Sequence, residues 1–184
     1  MADLIVENLV LSAEVNQSID LKEIDTSFPD ATFDPDQLPA VLFYYHNPSR
    51  VVMITTQGKI VCTGSKTKEE ASQALSETLD ALQEKEIIKE LPTISEYELE
   101  SVVISKNLQV SLPLASIQER LPAEQCTYDP SIGPWLEYRD SSYSLLLFPS
   151  GNIICTGNIS LEESKTAFET MEDTLTSVGC KIAE

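Results

Sequence analysis

The side chains that most often carry catalysis or metal binding are few in this chain, and they are scattered. His46 is the only histidine, and no two of the four cysteines have CxxC spacing: Cys62, Cys126, Cys155 and Cys180. A metal site needs several ligands at short spacing, and a nucleophile needs a base beside it. The sequence also lacks a phosphate-binding glycine loop. We therefore predict that the protein is not an enzyme, that it holds no metal or cofactor, and that its cysteines are small buried residues rather than redox groups.

Polar residues suited to binding occur in two nearly identical segments. GKIVCTG at 58–64 returns as GNIICTG at 151–157, an offset of 151 − 58 = 93 positions. Side chains alternate between the two faces of a strand, so Ile60 and Cys62 are expected to face a core. The opposite face then carries Lys59, Val61 and Thr63, and in the second copy Asn152, Ile154 and Thr156. Such a face of aliphatic and hydroxyl-bearing residues indicates a binding surface, and a homodimer interface fits it equally well.

The elements that position these segments belong to a repeat that extends over the whole chain. TFDPDQLPAVLFYY at 32–45 parallels TYDPSIGPWLEYR at 127–139. A period of this length indicates a duplicated domain, with a first repeat at 1–89 and a second at 90–184. In each repeat the patterns predict a strand, a short helix, several strands and a long helix. The segment EIIKELPTISEYELE at 86–100 is predicted to link the copies.

Capping signals mark the ends of the long helices. Thr67 with Glu70, and Ser160 with Glu163, form the pattern of a capping box at the same 93-residue offset. Gly179 follows the second long helix as a C-terminal cap. Helices of this kind cover one face of an antiparallel sheet and leave the other face open.

Charge restricts what the open face can bind. The formal net charge is −18, from 30 acidic and 12 basic residues, and it repels nucleic acid unless the binding surface is locally basic or neutral. Strand alternation predicts that acidic residues are almost absent from the open face. Its members on the neighbouring strands are Asn8, Val10, Met53, Thr55, Ser101, Val103 and Phe148.

The sequence also bears on location in the cell. The amino-terminal stretch MADLIVENLV has no basic region ahead of an apolar run, and no stretch approaches membrane-spanning length. Unpaired, buried cysteines suit a reducing cytosol. We expect a cytoplasmic protein that does not contact a membrane.

The duplicated motifs resemble those of the TATA-box-binding protein family, and of its archaeal branch in particular. The resemblance rests on the paired GKIVCTG and GNIICTG strands, on the FDP and YDP segments that lead into the second strand of each copy, and on the capped helix that closes each copy. It implies an α+β fold: a tandem-repeat saddle whose curved antiparallel sheet of about ten strands has two long and two short helices on its convex face. It also implies a nucleoid-associated protein of the archaeal cytosol whose concave face grips the minor groove of A·T-rich promoter DNA. Members of this family wedge apolar side chains between base steps and kink the duplex.

The resemblance assigns DNA contacts to particular residues of this chain. Asn8 matches an asparagine that hydrogen-bonds the central base pairs, and Phe148 is the one retained wedge phenylalanine. Lys59, Lys66 and Arg139 match cations that contact phosphates. Leu38 matches a wedge position with a shorter side chain. The aliphatic floor is matched by Val10, Val61, Val103 and Ile154, and the minor-groove threonines by Thr63 and Thr156.

Other positions depart from the family pattern. Two wedge positions hold Thr55 and Gly133, and Ser101 stands where the repeat mate of Asn8 is an asparagine in the family. The repeat mates of the three cations are Asn152, Asn158 and Tyr44. These exchanges remove positive charge and aromatic bulk. Three further aromatic residues either stack on bases or pack against neighbouring strands: Trp135, Tyr44 and Tyr45.

A protein partner is also implied. The family contacts transcription factor B through acidic residues that precede an apolar residue in the second repeat, where this chain has Asp129, Ser131 and Ile132. In the first repeat, Asp34 and Asp36 are available for a symmetry-related contact. Two functions follow: a promoter-binding initiation factor that recruits transcription factor B, or a relative with weak or lost DNA binding that regulates transcription through protein contacts. A homodimer through the concave face remains an alternative.

Overall fold

The computed structural model describes residues 3–182, which form two compact units. One unit is Asn8–Glu100, called here the first-repeat unit. The other joins the residues up to Glu7 with those from Ser101 onward, and is called the second-repeat unit. Each unit has its own sheet strands, its own helices and its own core.

The first-repeat unit is built from strands that are neighbours in an antiparallel arrangement. Its strands follow the order β2-β3-β4-β5-β1, and every neighbouring pair is antiparallel. The elements in chain order are β1 (Ile5–Glu14, of which the part from Asn8 belongs to this unit), α1 (Leu21–Ser27), β2 (Thr32–Phe33), β3 (Ala40–Tyr45), β4 (Arg50–Thr55), β5 (Lys59–Ser65) and α2 (Lys68–Glu84).

The second-repeat unit has the same succession of elements. Its strands follow the order β6-β10-β9-β8-β7, again with antiparallel neighbours. The elements are β6 (Glu98–Asn107, from Ser101 in this unit), α3 (Leu114–Gln118), β7 (Cys126–Tyr128), β8 (Leu136–Arg139), β9 (Tyr143–Leu147), β10 (Asn152–Gly157) and α4 (Leu161–Ser177).

The two long helices start with different caps. At α4 the box is reciprocal, because the Ser160 hydroxyl accepts from the Glu163 N–H at 3.1 Å and the Glu163 carboxylate accepts from the Ser160 N–H at 2.7 Å. At α2 the Thr67 hydroxyl accepts from the Glu70 N–H at 3.2 Å, but the Glu70 carboxylate accepts from the N–H of Lys66, one residue further back. The capping box predicted for the first repeat is therefore only half formed.

The end of α4 agrees with the prediction. Gly179 follows the C-cap residue with φ +95°, in the left-handed region that favours glycine. Its N–H donates to the Thr176 carbonyl at 3.0 Å, which satisfies one of the last carbonyl groups of the helix.

The core of each unit lies between its sheet and its long helix. In the first-repeat unit, Ile60 and Cys62 of β5 and Leu75 of α2 are fully buried. In the second-repeat unit, Cys155 of β10 is fully buried and Phe168 of α4 almost fully. Burial raises the pKa of the Cys155 thiol to about 11, so the group stays protonated near neutral pH. These contacts support the prediction that the repeated cysteines act as small apolar residues.

The predicted fold class is confirmed. Within residues 3–182 the structure has ten strands in antiparallel pairings, two long α-helices and two short ones, in two successive copies of one arrangement. Over the same residues, no helix has both the length and the apolar character needed to cross a bilayer. Groups of three or more potential metal ligands are likewise not found in that range.

Candidate functional site

Burial alternates along β4 and β5 of the first-repeat unit as the sequence predicts. In β4 and β5 the residues Val52, Ile54, Ile60 and Cys62 are fully buried, while their neighbours are half-exposed. The half-exposed side therefore faces away from the helices. We call it the open face of the first-repeat unit; it comprises Asn8, Val10, Val51, Met53, Thr55, Lys59, Val61 and Thr63.

The second-repeat unit has an equivalent face. In β10, Ile153 and Cys155 are fully buried, whereas Ile154 and Thr156 between and after them are half-exposed and Asn152 is exposed. The open face of the second-repeat unit comprises Ser101, Val103, Trp135, Glu137, Leu146, Phe148, Asn152, Ile154 and Thr156.

Asn8 and Thr63 form one hydrogen-bonded group on the first of these faces. The Asn8 side-chain amide donates to the Thr63 hydroxyl at 3.1 Å, and its carbonyl oxygen accepts from the Gly64 N–H at 2.8 Å. One hydrogen of the Asn8 amide and the hydroxyl hydrogen of Thr63 are left to donate elsewhere. The sequence prediction placed both residues at the site, and the structure brings them together as a pair of outward donors.

Lys59 is neutralised by an acidic residue. Its ammonium lies 2.7 Å from the Glu100 carboxylate, with the two side chains 41% and 32% exposed. Glu100 also accepts from the Ser12 hydroxyl at 2.5 Å. Hydrogen bonding between the two charged groups raises the pKa of Lys59, and the same bond, followed by that from Ser12, lowers the pKa of Glu100.

Arg139 is paired in the same way. Its guanidinium makes two hydrogen bonds to the Glu137 carboxylate, at 2.8 and 2.9 Å. This bidentate contact lowers the pKa of Glu137 and raises that of Arg139. Lys66 lies exposed just before α2.

The prediction that acidic residues are almost absent from the open face is therefore wrong. Glu137 lies on it directly, opposite Leu146, and Glu100 reaches it through Lys59 and Ser12. The sequence analysis did not predict an acidic residue here, because Glu100 was assigned to the segment that links the copies, whereas β6 begins at Glu98.

The repeat itself held a signal for this contact. The Ser105 hydroxyl donates to the Glu7 carboxylate at 2.6 Å, as Ser12 donates to Glu100. The residues are repeat mates, since 105 − 12 = 93 and 100 − 7 = 93. The alignment that pairs Asn8 with Ser101 also pairs Glu7 with Glu100 and Ser12 with Ser105, so the repeated Ser and Glu residues were visible in the sequence.

The wedge positions have diverse surroundings. Thr55 accepts from the Lys59 N–H at 3.2 Å and donates to its carbonyl at 3.1 Å, so it closes the β4–β5 hairpin. Leu38 is exposed in the loop between β2 and β3. Phe148 is half-buried against Trp135, with 6.4 Å between ring centroids.

The two tyrosines at the end of β3, Tyr44 and Tyr45, lie in different environments. Tyr45 is turned toward α2, where its hydroxyl lies 2.6 Å from that of Thr78, and it lies beneath the Arg50 guanidinium at 5.6 Å. It therefore packs in the core side of the unit and not on the open face. Tyr44 is exposed.

The residues predicted to contact a protein partner lie in the exposed segment before β8. Asp129 accepts from the Ser131 N–H at 2.9 Å and from its hydroxyl at 2.6 Å, and these bonds lower the pKa of Asp129. Ile132 is 74% exposed, an unusual exposure for a large aliphatic side chain. An ionised carboxylate thus stands beside an uncovered apolar group.

Comparison with known proteins identifies a matching family and several similar proteins. The sequence model of the family "Transcription factor TFIID (or TATA-binding protein, TBP)" matches residues 3–85 and again 96–178. The chain is 32% identical over 178 residues to the TATA-box-binding protein of Methanobrevibacter smithii, with 96% of each chain covered. It is 33% identical over 183 residues to TATA-box-binding protein B of Halobacterium salinarum, with 97% of each covered. The solved structure of Methanococcus jannaschii TBP superposes with a TM-score of 0.81 at 29% identity, covering 95% of this chain and 99% of that one.

Proposed function

The chain belongs to the TATA-binding protein family, and on that premise we propose that it is a general transcription initiation factor that binds A·T-rich promoter DNA in the minor groove. The family is one of transcription factors and not of enzymes, in agreement with the prediction from the scarcity of catalytic side chains. Binding takes place through the two open faces, and the protein acts at the chromosome inside the cell.

The observation that carries this proposal is the Asn8–Thr63 pair. At A·T pairs the minor groove presents only acceptors, adenine N3 and thymine O2. The pair offers two outward donors, and its internal bonds at 3.1 and 2.8 Å hold them in place before DNA arrives. The aliphatic residues around it, Val10 and Val61, suit the uncharged deoxyribose and base-edge surface inside the groove.

Phosphate contacts are assigned to Lys59, Lys66 and Arg139. Two of these cations are held by carboxylates, Glu100 and Glu137, in the structure. DNA phosphates must compete with these acids, so the ion pairs weaken binding without abolishing it. We therefore expect modest affinity and a shallow salt dependence, because each phosphate contact adds about 0.9 to the slope of log K against log salt.

The matched test removes two cations at a time. Replacing Lys59 and Lys66 by alanine is expected to weaken binding to all duplexes alike and to reduce the salt slope by up to about 1.8. The control replaces Lys85 and Lys89, two exposed lysines off the open face, and changes the net charge by the same amount. Fluorescence anisotropy of a labelled duplex at several salt concentrations gives both quantities. Equal losses in the two double variants would show that charge alone matters and would remove the open face from the proposal.

We also propose that Asp129 and Ile132 contact transcription factor B. The support is an exposed apolar side chain beside an ionised acid, a combination suited to an apolar pocket rimmed by basic residues. Ile132→Ser is expected to weaken the complex with transcription factor B and to leave binding of duplex alone unchanged. The control is Leu161→Ser, at another exposed aliphatic residue, which lies on α4.

A second function is favoured by the two ion pairs. If Glu100 and Glu137 hold their cations against phosphate, the chain regulates transcription by binding transcription factor B without DNA. Size-exclusion chromatography of the chain with transcription factor B, with and without duplex, separates the functions. A complex that forms only with duplex supports the initiation factor, and a complex that forms without it and excludes duplex supports the regulator. A concentration-dependent dimer that duplex cannot dissociate would instead support a homodimer through the open faces.

A further inference from the structure

Two aromatic side chains form a cross-strand pair on the open face of the second-repeat unit. Leu136 of β8 pairs with Leu147 of β9, and both are fully buried. The next position along this register joins Trp135 and Phe148, which therefore lie on the opposite, open side. Their ring centroids are 6.4 Å apart with an interplanar angle of 48°, and both residues are half-exposed.

Gly133 makes room for the indole of Trp135. A Cβ atom placed on Gly133 would lie only 2.0, 2.2 and 2.5 Å from three atoms of the Trp135 six-membered ring. No side chain fits there, so the ring rests directly on the backbone of Gly133. Pro134 between them has a fixed φ, which restricts the backbone that joins Gly133 to Trp135. The glycine at a wedge position is thus accompanied by an aromatic ring two residues later that covers the same place.

The first-repeat unit has no aromatic residue at the equivalent positions. There the cross-strand pair is Ala40 and Thr55; the offsets are 135 − 40 = 95 and 148 − 55 = 93, as in the surrounding motifs. Ala40 is buried, and Thr55 is hydrogen-bonded to the hairpin backbone. An aromatic surface is therefore presented at this position in the second-repeat unit and not in the first.

We propose that Trp135, supported by Phe148, is the principal wedge of this protein and stacks on a base at one end of the bound A·T-rich site. This inference rests on the proposed function and adds the residue that contacts the base step. Aromatic rings stack on any base, because every base has a π face. Phe148 contacts the indole with its ring centroid 6.4 Å away, and the backbone of Gly133 lies against the six-membered ring of the indole.

The asymmetry has a consequence for the DNA. The step that meets Trp135 is unstacked strongly, whereas the step that meets Thr55 is not. A single dominant kink and one preferred orientation on the site are expected. Leu38 and Phe148 then contact base steps as secondary wedges.

The experiment uses the fact that Trp135 is the only tryptophan of the chain, so that indole emission reports on this residue alone. A duplex with an A·T-rich centre is titrated into the protein while indole emission and its quenching by iodide are followed. Stacking on a base is expected to quench the emission and to protect the indole from iodide. In parallel, anisotropy of the labelled duplex measures affinity for Trp135→Leu, which is expected to fall roughly five- to hundredfold. The matched control is Phe28→Leu, in an aromatic pair with Phe43 whose ring centroids lie 5.2 Å apart on the helix side of the first-repeat unit, where Phe43 is opposite the buried Val52.

The outcomes distinguish the inference from the function on which it rests. Quenching on binding, with a loss of affinity in Trp135→Leu and none in Phe28→Leu, supports the wedge. Binding by the native protein with unchanged emission and unchanged iodide access overturns the wedge and leaves DNA binding intact. No binding at all overturns both. Quenching that follows protein concentration without duplex assigns the pair to a protein interface and overturns the inference. Because the fluorescence arm uses the native protein, it is decisive even where the leucine variant folds poorly.

Discussion

Glu100→Gln should convert a masked cation into a phosphate contact. In the structure Glu100 holds the Lys59 ammonium at 2.7 Å and accepts from Ser12 at 2.5 Å. Glutamine has nearly the same shape and keeps an oxygen that accepts from Ser12, but it has no charge to hold Lys59. The substitution therefore tests the charge pair and not the packing around it.

The magnitude follows from the exposure of the pair. With side chains 41% and 32% exposed, an ion pair of this kind is worth about 0.2–1 kcal/mol. DNA no longer has to displace Glu100, so the affinity of the duplex should rise by about 1.4- to 5-fold. A fully available Lys59 should also steepen the salt dependence by up to about 0.9 in slope.

The assay is anisotropy of a labelled A·T-rich duplex at four or more salt concentrations. Glu84→Gln, at an exposed position at the end of α2, makes the same change in net charge away from the open face. We expect a steeper slope for Glu100→Gln than for this control. Equal slopes and affinities for the two variants, or weaker binding by Glu100→Gln than by the native chain, would show that Glu100 does not withhold Lys59 from phosphate.

Three further predictions concern the fold. Ser160→Ala removes the reciprocal cap of α4 and should lower the free energy of unfolding by about 1 kcal/mol in urea denaturation; an unchanged midpoint would contradict the cap. Phe168→Ala, at a side chain 1% exposed, should cost about 3–5 kcal/mol, whereas Leu161→Ala on the exposed side of α4 should change stability by less than about 0.5 kcal/mol; equal effects would place the core elsewhere. In the folded protein the pKa of Glu100 is lowered and the pKa of Lys59 is raised. The ion pair therefore stabilises the fold at pH values above the unfolded carboxylate pKa of about 4.3 and below the unfolded lysine pKa of about 10.4. Its contribution is lost as the pH falls through the folded pKa of Glu100, so Lys59→Met should be less stable than the native chain at pH about 7 and equal to it once Glu100 is protonated; a difference that persists in acid would contradict the pairing.

The sequence predicted the elements and the two faces because both depend on local periodicity. The alternation of Ile60 and Cys62 with Val61 and Thr63 is a property of one strand, and burial follows it residue by residue. The long helices were predicted from their apolar stripes and caps. The half-formed box at Glu70 differs only because its carboxylate found the N–H one residue earlier.

Contacts across strands were less accessible from the sequence. The Lys59–Glu100 pair joins residues 41 positions apart (100 − 59 = 41), and it depends on where β6 begins. The contact of Trp135 with Gly133 depends on a rotamer and on the register of β8 against β9. Neither is encoded in periodicity, although the recurring Ser–Glu pairs at a 93-residue offset were visible in the repeat.

Selective binding to A·T-rich DNA is tested with two duplexes of equal length, one with an A·T-rich centre and one with a G·C-rich centre. Binding of each to the native chain is measured with and without transcription factor B. Guanine adds an amino donor to the minor groove, which opposes the donors of Asn8 and Thr63. A protein that binds A·T pairs in the minor groove should bind the A·T-rich duplex more tightly in at least one of the two conditions, and this binding should weaken as salt rises. Equal affinity for both duplexes, or no binding to either even with transcription factor B present, would contradict the proposed function.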